Sequence, residues 1–163
     1  TVVQTYGYVF PKVGGTATEN QALAGAVFTL YDADGNNVIN DENGKPITST
    51  SKIVDGVAYV WFEDLAAGTY TAKETTVPAG YLQAPDQKFT LTAAECTGDN
   101  PATKDIVENN YKVSGDKVVD PNKPTLPVTG GAGTFALTAT GLVLVAGAST
   151  LIVMRRRKER EQA

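Results

Sequence analysis

The feature that most limits how this chain can fold is an uncharged run of 24 residues, Gly131 to Met154, followed at once by Arg155-Arg156-Arg157-Lys158. As a helix the run would extend about 36 Å, enough to cross a hydrocarbon layer of about 30 Å. A single hydrophobic helix over 131–154 is therefore expected, and it takes no part in a soluble core. The basic cluster predicts a cytoplasmic tail over 155–163, which places the preceding residues outside the cell. A buried core helix is the alternative, and the charges that follow the run argue against it.

What remains for a globular fold lies upstream. Residues 1–113 carry short apolar runs rich in β-branched and aromatic residues, with no convincing helical period. Val57-Ala-Tyr-Val-Trp-Phe62 and Gly68-Thr-Tyr-Thr-Ala-Lys-Glu74 read as strands. Val27-Phe-Thr-Leu-Tyr31 runs into the turn Asp32-Ala-Asp-Gly35. Asn43-Gly44 and Asp55-Gly56 are further hairpin punctuation. Regularly spaced short strands predict an all-β sandwich. Residues 114–125 are polar and proline-containing, and read as a flexible spacer unable to fold alone.

Composition removes several functions. There is no histidine and a single cysteine, Cys96, so a zinc site, a hydrolytic triad and an internal disulfide are all unexpected. The formal net charge of −4, with no aromatic residues among the basic ones, argues against a nucleic-acid partner. Asp32-Ala-Asp34-Gly-Asn36 lacks the glycine position and closing glutamate of a calcium loop, and reads as a tight turn. No metal or cofactor is expected. Trp61 and Phe62 are adjacent in a strand, so at least one must face the core.

Between spacer and apolar run stands Leu126-Pro127-Val128-Thr129-Gly130. Motif, apolar span and terminal basic cluster, in that order, resemble the cell-wall sorting signal of Gram-positive surface proteins. Pro127 favours the extended form in which a peptide is presented to an enzyme. The resemblance implies a sortase whose cysteine thiolate attacks the Thr129 carbonyl, releasing Gly130 with everything after it. Thr129 then passes to an amine of a peptidoglycan precursor or of another pilin subunit. The membrane would hold the chain only before processing, with Arg155, Arg156, Arg157 and Lys158 as the retention signal, and the mature product would keep no span.

Three further stretches resemble the CnaB type of domain, an immunoglobulin-like β-sandwich of pilins and adhesin stalks. Leu23-Ala-Gly-Ala-Val-Phe-Thr-Leu-Tyr31 is similar to its second strand, and Tyr70-Thr-Ala-Lys-Glu74-Thr-Thr-Val-Pro-Ala-Gly-Tyr81 to its glutamate box. Lys12, near the start, and Asn109, near the end, occupy the places of its reacting pair. The resemblance implies an internal isopeptide bond, in which the Lys12 amine condenses with an asparagine carboxamide beside protonated Glu74. An apolar interior favours both a neutral amine and a protonated carboxyl. Strand alternation puts Tyr8, Phe10 and Lys12 on one face, and Tyr70, Ala72 and Glu74 on another. If residues 107–111 form a strand, Val107, Asn109 and Tyr111 fall together, which favours Asn109 with Asn110 as the alternative. Val9-Phe10-Pro11-Lys12 also resembles the pilin motif whose lysine accepts an incoming subunit, so an intersubunit role for Lys12 stays open.

Taken together, these features predict a structural cell-wall or pilus module that is secreted and is no enzyme beyond its own cross-linking. Two alternatives remain. The β domain would itself bind a host extracellular protein or glycan, or the chain would be the wall anchor of a larger surface enzyme.

Overall fold

The computed structural model describes residues 3–104 and 106–124. Thr1–Lys123 form one compact unit. Ten strands follow in order: β1 Tyr6–Gly15, β2 Asn20–Ala22, β3 Val27–Tyr31, β4 Thr48–Thr50, β5 Lys52–Val54, β6 Val57–Leu65, β7 Gly68–Thr76, β8 Gln87–Leu91, β9 Tyr111–Val113 and β10 Val118–Pro121. The stretches read as strands from their alternation are β3, β6 and β7. Among the described residues no helix is long and apolar enough to cross a membrane. The span 131–154, the motif 126–130 and the basic tail 155–163 lie outside the described residues.

The strands make two sheets. One runs β4-β3-β7-β8, wholly antiparallel. The other runs β10-β1-β6-β5, with β2 and β9 also paired to β1. Its organiser is β1, whose ten residues serve two sets of neighbours. Its first half pairs with β6 and, in parallel, with β9. Its second half pairs with β2 and, in parallel, with β10, where Lys12 stands opposite Val118 and Gly14 opposite Asp120. In β6, Glu63 and Asp64 stand opposite the single residue Gly7, and Asp64 takes a left-handed φ of 58°. That is a bulge, which lets a long strand bend along the sheet.

The chain passes from one sheet to the other at Ser51, between β4 and β5. Ser51 is buried, donates its hydroxyl to the Leu23 carbonyl and accepts from the Ala26 N–H. The buried bend thus satisfies its polar groups locally.

Between the sheets lies one core, with Phe10, Phe28, Leu30, Val60, Phe62, Ala72, Phe89 and Leu91 in it. Tyr8 stacks on Phe89 at 4.0 Å between ring centres, and Phe10 meets Phe28 edge-on at 5.2 Å. Of the two adjacent strand aromatics, Phe62 faces inward, and Trp61 lies half-buried on the outer face.

The region read as spacer differs from expectation. Val118-Val119-Asp120-Pro121 is a strand of the larger sheet, and it buries Val118 and Asp120 on one side. The domain therefore ends at about residue 123, not 113. The short β-branched pair finds in the β1 edge the partners it could not supply itself. The expected strand over 107–111 is also corrected, because only Tyr111 to Val113 pair. Val107 is 76% exposed, and Asn109 takes a left-handed φ of 56°. The Asp99 carboxylate holds this turn by accepting the N–H groups of Glu108 and Asn109.

Candidate functional site

At the level where β1 changes partners, its alternation carries Lys12 inward behind Phe10. The side chain is wholly buried. β7 aims Glu74 into the same space by the alternation that buries Ala72, and β10 supplies Asp120 from the far side of β1. All three side chains are fully shielded from solvent. The Lys12 Nζ lies 2.6 Å from Asp120 Oδ1 and 3.8 Å from Glu74 Oε1. It donates to the carbonyls of Val13 at 3.0 Å and Val118 at 3.4 Å.

The cluster is unusual for a buried ion pair. None of the four carboxylate oxygens has a hydrogen-bond partner of ordinary geometry, despite the close approach of Nζ. A buried ion pair is stabilising only when hydrogen bonds compensate the lost hydration of its oxygens. Here one lysine nitrogen faces two carboxyls, and carboxyls held this close disfavour each other's charge. Burial, and then the neighbouring Asp120 carboxyl, push the Glu74 carboxyl up to about 8, while Lys12 pulls the other way. At neutral pH Glu74 therefore holds a proton. A buried acid, an amine and a second carboxyl whose Oδ1 lies 2.6 Å from that amine are the kinds of group that amide condensation requires.

Of the sequence-predicted residues, Lys12 and Glu74 are brought together, and the two asparagines are not. Asn109 is exposed. Asn110 donates its Nδ2 to the Thr5 carbonyl, and its main-chain carbonyl accepts from Gly7 N–H. The β9 register, Gly7 opposite Tyr111, sets both asparagines level with the start of β1. Lys12 is five residues further along, or about 17 Å at the rise of a strand. The residue that stands at Lys12 is Asp120, which lies within the stretch 114–125 that reads as a spacer in the sequence. Its one signal was alternation: Val118 and Asp120 share a face, and Val118-Val119 is the only β-branched pair between residues 114 and 125.

Beyond β10 the chain is held for two more residues. Pro121 O accepts from Leu82 N–H at 2.7 Å, Asn122 bridges to Tyr81, and Lys123 N–H donates to Gly80 O at 3.0 Å. Tyr81 in turn lies over Gly14, where a Cβ would strike its ring, and its hydroxyl accepts from Gln21 Nε2 at 3.2 Å. The turn that ends the glutamate box, with Leu82 after it, thus grips the end of the domain.

Comparisons with known proteins agree with this architecture. Residues 10–114 match the family of SpaA prealbumin-like fold domains, and residues 118–160 match the LPXTG cell wall anchor motif. A fimbrial subunit type 2 of Actinomyces naeslundii is 33% identical over 178 aligned positions, covering 93% of this chain and 31% of that protein. The chain thus spans about a third of that relative's length. Among solved structures, a minor pilin of Streptococcus agalactiae aligns with a TM-score of 0.50 at 18% identity, over 79% of this chain and 49% of that one. The pilus backbone protein of Streptococcus pneumoniae aligns at 0.51 and 18%, over 72% and 41%. At such identities these two likenesses speak for the fold alone. With two-sheet fold, family match and anchor motif together, the chain belongs to the SpaA family of prealbumin-like fold domains and carries the LPXTG anchor of a Gram-positive cell-wall surface protein.

Proposed function

We propose that this chain is a structural module of a sortase-assembled pilus or stalk, fastened internally by an amide between Lys12 Nζ and Asp120 Cγ. The observation that carries the reading is the buried group of Lys12, Glu74 and Asp120, with amine and carboxyl 2.6 Å apart. In the step proposed, the Lys12 ammonium first passes one proton to the Asp120 carboxylate, and the neutral nitrogen then attacks the Asp120 carboxyl carbon. Glu74 gives its proton to the departing oxygen and recovers one from the nitrogen. One C–N bond forms, one C–O bond breaks and one water leaves; an ammonium and a carboxylate already hold every atom that is needed. Because Glu74 is regenerated, it is a catalyst in its own fold.

The same burial weighs against the other role for Lys12. An amine with no exposed surface cannot receive the threonine of an incoming subunit. In the proposed reading Thr129 is the acyl donor that joins the chain to the wall or to a neighbouring subunit. The likeness to a fimbrial subunit supports the pilus alternative.

Intact mass of soluble residues 1–124 tests the bond. The domain is expected to be lighter than its sequence by one water, and Glu74→Gln and Asp120→Ala to have full mass. A deficit of one ammonia would point back to an asparagine, and full mass in the parent would remove the bond. For the anchor, Thr129→Ala is expected to remain with the membrane fraction, whereas normal wall attachment of that variant would refute it.

A further inference from the structure

Six residues, Pro124 to Thr129, separate the last clamped residue, Lys123, from the carbonyl at which the motif would be cut. Fully extended, six residues reach at most about 21 Å. A folded enzyme of about 150 residues has a radius of gyration of about 15 Å, so its body is wider than that tether is long. An enzyme holding the Thr129 carbonyl in its cleft therefore has its flank against the end of this domain. With the 114–125 region as a free spacer this constraint would not exist. The pairing of β10 and the clamp at Gly80–Leu82 create it.

The surface at that end is suited to contact. Leu82 is 43% exposed beside the exit strand, although its N–H is committed to Pro121. Next to it an open polar groove is lined by Glu19, Asn20, Gln21, Tyr81 and Asn122. Lys123, next in the chain to the groove residue Asn122, is exposed. One apolar point among hydrogen-bonding groups and both signs of charge is the composition of a modest protein contact, not of a small-molecule pocket.

We propose that this rim, centred on Leu82, Gln21 and Lys123, is a second recognition surface for the sortase, read together with residues 126–130. The inference rests on the sortase reading above. The enzyme would select the folded, β10-closed domain as well as the peptide, and an identical motif on a long leash would lose that selection.

The test is the rate of cleavage after Thr129 in the full-length chain, in membranes carrying its cognate sortase. Leu82→Glu and Lys123→Glu lie on the exposed rim and leave the core untouched. Each is expected to slow cleavage by about fivefold or more, as loss of a central interface contact does. The same substitutions are then made in a chain with twenty Gly/Ser residues inserted between Lys123 and Pro124. There their effect is expected to vanish. Equal rates for parent and rim variants at native spacing would overturn the proposal while leaving the sortase reading intact. Undiminished rim effects in the lengthened chain would also overturn it, since they would report folding and not contact. If neither the native nor the lengthened chain is cut after Thr129, the sortase reading falls and the rim proposal with it.

Discussion

Lys12 and Glu74 were legible because each stands in a strand whose alternation is long enough to fix its face. Asp120 was not, because three or four residues between prolines and lysines give no period to read. Only the β1 edge reveals that its side chain points inward. The cluster carries a pH dependence with a definite sign. Glu74 titrates near 4.5 in an open chain and is pushed up to about 8 by burial. The native state thus retains a proton that the unfolded chain releases between those values, so stability is greatest below the window and falls as pH rises through it. In Lys12→Ala, where no amide can form and burial and Asp120 still raise Glu74, the urea midpoint is expected to drop from pH 5 to pH 8. A flat profile would show that Glu74 is not shielded. A second residue-scale prediction concerns Gly7. A Cβ there would collide with the Tyr111 ring, itself buried against β1. Gly7→Ala is expected to cost about 1 to 3 kcal/mol in denaturant unfolding, with Tyr111 displaced.

Among elements, β3, β6 and β7 announce themselves because each is half-buried and flanked by turn residues. β9 and β10 do not. Both are short, both pair in parallel with β1, and parallel pairing needs no hairpin signal next to it in sequence. The turn held by Asp99 shows the same limit from the other side. Val107 and Tyr111 mimic strand alternation, yet two backbone N–H groups are taken by one carboxylate and the chain turns instead. β10 also makes its own prediction. Val118 is 6% exposed in the core beside Lys12. Val118→Asp is expected to prevent docking of the strand and so abolish the mass deficit, even with Lys12, Glu74 and Asp120 all present. Retention of the deficit would mean that the three residues meet without β10.

For the whole molecule, the proposed amide would close a loop from residue 12 to residue 120. By analogy with a disulfide, constraining about 100 residues is worth about 4 to 5 kcal/mol. Glu74→Gln keeps the shape of the site and removes its proton, so it is expected to unfold at correspondingly lower denaturant than the parent. The β domain and the anchor motif were readable in outline, whereas the end of the domain was not. The parallel pairing of β1 with β10 has one more consequence, and it concerns time. A chain leaving the cell from its N-terminus delivers the second half of β1 early and its partner strand more than a hundred residues later. Until then Lys12 has no carboxyl from β10 beside it and the strand edge stays open. Only four residues lie between the closing strand and the motif. Completion of the sheet and arrival of the cleavage point are therefore nearly one event in the life of the chain.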